Sequence, residues 1–300
     1  MRRLDWIVVF LLIFGVIASK VADFGARVPD NVNPRRPGVQ HFSPDLWDDE
    51  TRAWLSQGPA PQQPQPFAGG LPREGLIEDS GPPSSSVGSA FSVSPRGVWL
   101  TARHVADGCS KTAIQTARKQ YLRVNKTFLH PNADVAILFT RGGPEALPLA
   151  GRIDSGRDGY DIGFPTGQPG AVHTRYIGEM TLRHMDRRQR RNGYREQVNA
   201  WVERSRIPDR SGSLGGLSGG AVLDERGRVI GIVQAESARR GRVMTAQPAT
   251  IKDIFRLAGT DYPSSGGRPQ GMTLSEDSYP RAARDLITSA RIAKVFCLVE

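Results

Sequence analysis

The feature of this chain that most constrains its fold is a series of short β-type segments that begins at Val87. Turn sequences such as PRG, HPN and RGGP separate these segments, and the chain contains 33 Gly and 22 Pro residues. Aromatic residues make up only 7% of it. Many short strands joined by Gly- and Pro-rich turns are typical of antiparallel barrels. We therefore predict an antiparallel all-β domain.

The segments fall into two sets, with a boundary near residue 150. The first set is VGSAFSV, GVWLTA, KTAIQTA, QYLRVN and DVAILF, and the second is AVHTRYIGEMTLR, QVNAWVER, GGAVLD, RVIGIVQAE and GRVMTAQP. The stretch VLDERGRVIGIV predicts a hairpin that turns at residues 225–227. Near the C-terminus, residues 278–293 are predicted to form a helix and residues 294–300 a last strand.

The N-terminal region predicts a membrane segment. Residues 6–22 are predominantly apolar and follow a short basic start, and 17 residues is at the lower end of what spans a bilayer as a helix. We predict an uncleaved single-pass anchor, with a cleaved signal peptide ending at Ala18 as the alternative. The domain is then expected on the extracytoplasmic (periplasmic) side of the cell membrane, or secreted if cleavage occurs. Basic residues just after the span oppose this orientation.

A Pro-rich segment separates this region from the β-rich domain. Eleven of the 22 prolines lie between residues 29 and 83, in runs such as PAPQQPQP. Such a composition favours an extended, semi-rigid linker. Residues 45–57 within it are predicted to form a short amphipathic helix. We therefore divide the chain into a signal segment (1–22), a linker (23–86), the main domain (87–259) and a C-terminal extension that packs on it (260–300).

Charge and cysteine content exclude several classes of protein. The net charge is +10, but no nucleic-acid-binding motif accompanies it, so a nucleic-acid partner is not expected. The Arg-rich segment 183–195 fits either an anionic surface or a solvated hairpin tip. The two cysteines exclude a disulfide-dense scaffold and a four-cysteine zinc site. Neither His130 nor His184 has metal-ligand spacing, so we predict no metal and no cofactor.

Three local motifs carry residue types that perform nucleophilic catalysis. The motif LTARHV ends a strand at His104, NADVAIL places Asp134 just before a strand, and GGLSGGAV places Ser218 in a Gly-rich turn. A serine hydroxyl needs an imidazole to accept its proton, and the imidazole needs a carboxylate to fix its tautomer. The developing oxyanion needs backbone N–H donors, which a Gly-rich turn exposes.

The order of the three residues is more informative than any one motif. His104, Asp134 and Ser218 occur in that order, at intervals of 30 and 84 residues. Chymotrypsin-type proteases have this order, whereas subtilisins and α/β-hydrolases do not. The intervals place the first two residues in the first set of strands and the serine in the second. We predict a catalytic triad.

These motifs resemble those of the trypsin/chymotrypsin family, and within it the bacterial HtrA-like branch. TARH is similar to the family's TAAH, ADVAIL to its D-I-A-L strand, and GLSGGAV to its G-x-S-G-G-P. The resemblance covers about residues 87–259 and implies two six-stranded β-barrels with the active site between them. It also implies an oxyanion hole formed by the N–H groups of Gly216 and Ser218. Only 41 residues follow Gly259, too few for the PDZ domain usual in that branch.

Some positions depart from the family pattern. Leu217 replaces the acid that pairs with a new N-terminus in activated trypsins, so activation by that route is not expected. Gln234 replaces the Ser or Thr that commonly supports the triad carboxylate, which puts that hydrogen bond in doubt.

By position, the resemblance also implies a substrate-binding set, which consists of Gly212, Ser213, Gln234, Ala235 and Glu236. No acid occupies the base of the specificity pocket at Gly212 and Ser213, so we expect a small or medium apolar residue before the cut. Glu236 at the cleft edge is the feature that opposes this expectation.

The sequence therefore predicts a membrane-tethered serine endopeptidase that acts on protein or peptide substrates. Two alternatives remain: a protease-fold binding protein that has lost turnover, and a hydrolase of non-peptide esters. If the domain is exported, Cys109 and Cys297 are candidates for one disulfide, because disulfides persist outside the cytosol. The other interpretation is two unrelated buried thiols.

Overall fold

A computed structural model shows a protein built mostly of β-strands. It describes residues 71–79, 84–153, 158–186, 193–208, 213–237, 240–263 and 272–300. The predicted all-β class is confirmed, since the described residues form two seven-stranded sheets and few helices.

The first sheet contains seven strands, in the order β5-β4-β14-β2-β3-β7-β6. Its strands are β2 (Ser86–Ser94), β3 (Val98–Thr101), β4 (Lys111–Ala117), β5 (Gln120–Arg123), β6 (Lys126–Leu129), β7 (Ala136–Phe139) and β14 (Ile292–Leu298). The two outermost strands, β5 and β6, are separated only by Val124 and Asn125. Val124 N–H donates to Thr112 and Asn125 N–H donates to Phe139, so the sheet curls into a barrel.

The second sheet has the order β1-β9-β10-β13-β12-β11-β8, and β8 also pairs with β9. Its strands are β1 (Glu74–Asp79), β8 (Asp158–Gly163), β9 (Gly170–Asp186), β10 (Tyr194–Ile207), β11 (Ala221–Leu223), β12 (Val229–Ser237) and β13 (Arg242–Ala246). Six of these strands therefore close a barrel, and β1 is added to it as a parallel strand beside β9. The described residues also form three α-helices: α1 (Arg103–Ala106), α2 (Pro248–Leu257) and α3 (Tyr279–Thr288).

Alternation along the strands divides the hydrophobic residues between two sides of the first sheet. On β3, Trp99 packs inside the first barrel and Leu100 packs between the sheets. On β7, Leu138 packs inside the barrel and Ile137 packs between the sheets. Successive side chains of a strand point to opposite faces, so one sequence supplies both cores. Side chains of α2 and α3 also join the core between the sheets, including Ile254. Burying such a side chain stabilises a fold by about 1.5–3 kcal/mol.

Several sequence predictions need correction. Each sheet has seven strands where six were expected. The first sheet contains β6, which no predicted segment covers, and includes β14, whereas the second contains β8 and β1, which were not predicted either. Strand β1 lies within the segment 23–86, which was predicted to be linker. The C-terminal helix ends at Thr288, and the last strand runs over Ile292–Leu298 inside the first sheet. Helix α2 was not predicted, because its residues were assigned to the end of the main domain.

The predictions for the N-terminal region lie outside the described residues. They comprise the span 6–22, the helix 45–57 and the linker as far as residue 70. Among the residues that the structure does describe, no helix has the length and apolar character needed to cross a membrane.

Candidate active site

His104 lies on a single helical turn at the end of a strand. Strand β3 ends at Thr101 and α1 begins at Arg103, so the histidine leaves the sheet immediately. The next two residues of α1, Val105 and Ala106, are buried in the first barrel and anchor the turn. The His104 side chain is 48% exposed, which suits a residue that must meet a substrate.

Asp134 is buried and faces His104 with both carboxylate oxygens. Its Oδ1 accepts the backbone N–H of His104 at 2.8 Å, and its Oδ2 lies 2.7 Å from Nδ1 of the ring. Because an ionised carboxylate only accepts hydrogen bonds, Nδ1 donates the proton of this bond, and the lone pair of the neutral ring is then on Nε2. Burial raises the pKa of Asp134, but the charge of His104 and its hydrogen bonds outweigh burial and hold this pKa below its ordinary value.

Two residues of the second sheet hold the backbone N–H and the carbonyl of Asp134. Glu196 on β10 accepts the Asp134 N–H at Oε2, 2.8 Å away. Gln234 on β12 donates its amide to the Asp134 carbonyl at 3.1 Å and to Glu196 Oε1 at 2.8 Å. Gln234 was predicted to line the substrate cleft, but its side chain turns inward and only 3% of the residue is exposed. The prediction that the Gln234 side chain lines the substrate cleft is therefore wrong.

Glu196 was missed by the sequence analysis. It precedes the apolar run of β10, where a charged residue looks like an ordinary polar position at the start of a strand. Its burial at 4% exposure follows from the pairing of β10 within the closed barrel and the approach of the Asp134 loop. Nothing in the local sequence signals that contact.

The turn that carries Ser218 is fixed against strands β2 and β3. The Ser218 carbonyl accepts the N–H of Ser89 on β2 at 2.8 Å. The next residue, Gly219, has φ +85°, and a Cβ there would lie 2.1 Å from the Ser89 carbonyl and 2.3 Å from Thr101 Oγ1. Only glycine allows so close an approach. The structure thus brings Ser218 next to the junction of β3 and α1, which bears His104.

The segment before Ser218 is also held in a defined conformation. Gly216 has φ +94°, and a Cβ there would lie 2.6 Å from the Phe164 carbonyl. The Gly215 carbonyl accepts the N–H of Thr166. Because the N–H and C=O of a trans peptide point in opposite directions, the Gly216 N–H points away from Thr166. Ser89 Oγ donates to the Gly216 carbonyl at 2.7 Å, a contact that the sequence analysis did not foresee.

Three of the remaining predicted substrate-binding residues lie within the described part of the chain, and Gly212 lies outside it. Ser213 donates its hydroxyl to Glu236 Oε1, and the N–H of Leu214 donates to Glu236 Oε2 at 2.8 Å. Ala235, half-buried, packs against the core cluster that contains Met244. Both oxygens of the Glu236 carboxylate are therefore engaged by the segment that leads to Ser218.

Three further residues that the sequence analysis singled out are placed by the structure. Leu217 is fully buried in the core of the second barrel, where it packs with Val222 and Val233. Cys109 and Cys297 form a disulfide, with their Cα atoms 5.2 Å apart and a separation of 188 positions in sequence. This bond joins the chain just after α1 to strand β14.

Comparisons with known proteins agree with this architecture. Residues 88–232 match the family model of the trypsin-like peptidase domain. The active form of the Rv3671c protease from M. tuberculosis is 19% identical, with a TM-score of 0.50, covering 68% of this chain and 98% of that one.

Two other solved structures are similar to this chain with lower scores. The MamO protease domain of Magnetospirillum magneticum is 14% identical, with a TM-score of 0.42, covering 56% of this chain and 93% of that one. The HtrA-type protease AlgW, solved with a decapeptide, is 22% identical, with a TM-score of 0.39, covering 56% of this chain and 50% of that one. Comparison with curated proteins finds no match. At 19% identity the Rv3671c structure is evidence for the fold alone, and the family model identifies the domain. The chain therefore carries a trypsin-like peptidase domain and is a serine protease of that class.

Proposed function

We propose that the chain is a serine endopeptidase whose catalytic triad is His104, Asp134 and Ser218. The observation that carries this proposal is the double contact of the Asp134 carboxylate with His104, at 2.8 Å to the backbone N–H and 2.7 Å to Nδ1. A buried carboxylate in this position fixes the imidazole and stabilises its protonated form.

The reaction follows from these roles. Nε2 of His104 takes the proton of Ser218 Oγ as that oxygen attacks the carbonyl carbon of the scissile peptide bond. The N–H groups of Gly216 and Ser218 donate to the oxyanion of the tetrahedral intermediate. The imidazolium then gives its proton to the leaving amine, which leaves an acyl-enzyme on Ser218. Water, deprotonated by His104, hydrolyses this ester and restores the serine.

Strand β12 supports an extended peptide as the substrate. On one side, β12 pairs with β13 from Val233 to Ser237. On its other side, the pairing with β11 ends at Ile232, and within the described residues no strand continues it. The backbone of β12 beyond Val233 is thus an open edge, to which an extended peptide adds as a further strand.

Glu236 supports the preference for a small or medium apolar residue before the cut. Its carboxylate extends from β12 to Ser213 and Leu214, and both of its oxygens already accept hydrogen bonds there. A carboxylate engaged in this way is a weaker partner for a basic side chain than an unengaged one would be. We propose that substrates with Ala, Val or Leu before the scissile bond are cleaved faster than those with Arg or Lys.

We further propose that the protease acts while tethered to a membrane. The support is the apolar run 6–22 followed by a Pro-rich segment, which is the composition of an anchor and a spacer. Fractionation of cells that express the full chain tests this point. Recovery of the intact chain, still bearing Met1, in the soluble fraction would contradict the tether.

Hydrolysis of a peptide library by the wild-type chain and by Ser218→Ala tests the proposed activity. The variant is expected to lose turnover by a factor of about 10⁴–10⁶, because the nucleophile is gone. Ser278→Ala is the matched control, since Ser278 lies at the start of α3, remote from the triad, and its removal should leave the rate unchanged. Equal turnover by the wild type and Ser218→Ala would exclude the triad. A wild type that binds peptides without cleaving them would favour the alternative of a binding protein.

A further inference from the structure

The backbone of the catalytic aspartate is held on both sides of its Cα, at the N–H and at the carbonyl, by buried side chains of the opposite sheet. Asp134 belongs to the loop that precedes β7 in the first sheet, whereas Glu196 and Gln234 belong to β10 and β12 in the second. Glu196 accepts the Asp134 N–H at 2.8 Å, and Gln234 donates to the Asp134 carbonyl at 3.1 Å. A third hydrogen bond of 2.8 Å joins Gln234 to Glu196 and closes the arrangement.

This arrangement affects the orientation of the Asp134 carboxylate. The carboxylate must meet two donors of His104 at once, the backbone N–H and Nδ1–H. Rotation of the peptide group on either side of the Asp134 Cα would move the carboxylate away from at least one of them. We propose, on the basis of the endopeptidase function above, that Glu196 is a positioning residue, which fixes the Asp134 peptide so that His104 keeps the orientation required for proton transfer.

The chemistry of the site requires an acceptor with two oxygens. Oε2 of Glu196 faces the N–H of Asp134, and Oε1 faces the amide NH₂ of Gln234. An alanine would leave a buried N–H without a partner. A glutamine would set one of its own N–H groups against one of these donors, because an amide presents only one acceptor oxygen. The site therefore favours a carboxylate over its neutral isostere.

The groups around Glu196 are consistent with a fixed carboxylate. On β9, His184 Nε2 lies 3.7 Å from Oε2, and on β10 the Tyr194 ring stacks on His184 with centroids 4.3 Å apart. Arg103 of α1 lies over Tyr194, 5.6 Å from the ring centroid. Burial raises the pKa of Glu196 to about 7, and the hydrogen bonds from Asp134 and Gln234 oppose that rise. The carboxylate is thus ionised in mildly alkaline solution.

The test compares Glu196→Ala and Glu196→Gln with Glu203→Gln in the full chain at pH 8. Glu203 is the matched control, because it lies on the same strand and is equally buried, at 4% exposure. Its carboxylate pairs with Arg206 instead of Asp134. Two readouts are used: kcat and KM on a cleaved peptide, and the low-field proton NMR signal of the His104 Nδ1–H. A purely structural role would not move that signal in a variant that folds.

We expect Glu196→Ala to lower kcat about 100-fold with KM within twofold of the wild type, because small misplacements of catalytic groups cost rates of this order. Glu196→Gln should lose about tenfold, since it retains one acceptor. Both variants should shift or broaden the His104 Nδ1–H signal, and Glu203→Gln should change neither readout. If Glu196→Ala fails to fold, Glu196→Gln decides the question.

The proposal is overturned if Glu196→Gln keeps the wild-type kcat and an unchanged Nδ1–H signal, or if Glu203→Gln has the same effects. The NMR readout also separates this proposal from the proposed function. A wild type without turnover would remove the endopeptidase function, and the response of the Nδ1–H signal to Glu196→Gln would still support or overturn the positioning of Asp134.

Discussion

Strands β14 and β1 both lie outside the segment 88–232 that matches the peptidase domain, yet they contribute to the fold in opposite ways. Strand β14 lies in the middle of the first sheet, hydrogen-bonded to β2 on one side and to β4 on the other. Strand β1 lies at the end of the second sheet and pairs with β9 alone among the described strands. A strand with two partners is part of a barrel, and a strand with one partner is an addition to it.

Burial shows the same contrast. On β14, Ile292, Ala293 and Val295 are completely buried, and Cys297 forms the disulfide to Cys109. On β1, Leu76 is 54% exposed. The position of a strand in the sheet, and not its distance along the chain from the catalytic motifs, therefore decides how much the active site depends on it. Strand β14 lies between β2 and β4, and β4 is the strand that follows His104.

The largest effect is expected from ending the chain at Ala290. Without β14, strands β2 and β4 lose their common neighbour, and the first barrel loses several fully buried side chains, each worth about 1.5–3 kcal/mol. Such a loss is comparable with the 5–15 kcal/mol that stabilises a typical domain. We expect no cooperative unfolding transition and no turnover. A shortened chain that melts like the full-length protein would show that β14 is an addition, as β1 is.

The disulfide is expected to have the next largest effect. Replacing both Cys109 and Cys297 with Ser removes a link across 188 residues. In the chain-entropy model, a loop of this length stabilises the folded state by about 4–5 kcal/mol. We expect the free energy of unfolding in urea to fall by that order, with β14 still in place. An unchanged denaturation midpoint would mean that pairing to β2 and β4 alone secures the strand.

The hydrogen bond of Glu196 to Asp134, which joins the two sheets, is expected to have a smaller effect on stability, and this effect depends on pH. The pKa of Glu196 is about 7 in the folded chain against an ordinary value of 4.5. The folded state then binds more protons than the unfolded state in this range, so its stability falls as the pH rises from about 4.5 to about 7. The difference amounts to about 3 kcal/mol.

Glu196→Gln should remove this part of the pH dependence. Urea denaturation at intervals between pH 5 and pH 7.5 measures it, and the stability of the variant relative to the wild type should increase with pH. Parallel curves for the two proteins would contradict the raised pKa. If the difference is found, the chain keeps a carboxylate that lowers its stability near neutral pH, as is common at functional sites.

The smallest effect is expected from deleting residues 74–79, which removes β1 alone. Its ion pair, Arg195 with Glu74, is exposed on both sides, and such pairs contribute about 1 kcal/mol at most. Together with the loss of Ile77, which is only partly buried, we expect a decrease in stability of about 2 kcal/mol or less. The kcat should stay within twofold of the full chain. A loss of activity as large as that from removing β14 would erase the contrast between the two strands.

The candidate triad residues could be proposed from local chemistry alone. The histidine after a strand, the aspartate before one and the serine in a Gly-rich turn each have a recognisable motif, and most strands follow from alternation and turns. The pairing partners of strands were not predictable in this way. Nothing local shows that β14 inserts between β2 and β4, or that a segment in Pro-rich sequence becomes β1.

The same limit applies to the support of the triad. The replacement at Gln234 was visible in the sequence, but it raised only a doubt about a hydrogen bond to the carboxylate. The structure gives Gln234 a different task, since its amide holds the Asp134 carbonyl. No sequence motif marks Glu196. Its contact with Asp134 joins two sheets across 62 residues and forms only when both barrels have closed. Residues that orient catalytic groups from a distance are for this reason the least visible in a sequence.

The central claim is that residues of both sheets activate one serine, and reaction with a fluorophosphonate probe tests it most directly. Such a probe phosphonylates a serine only when the hydroxyl is activated by its neighbours. Intact mass and peptide mapping of the full chain should show one added group, located on Ser218, with labelling abolished in Ser218→Ala and strongly reduced in His104→Ala. A wild-type chain that stays unlabelled, or His104→Ala that is labelled at the wild-type rate, would contradict the account.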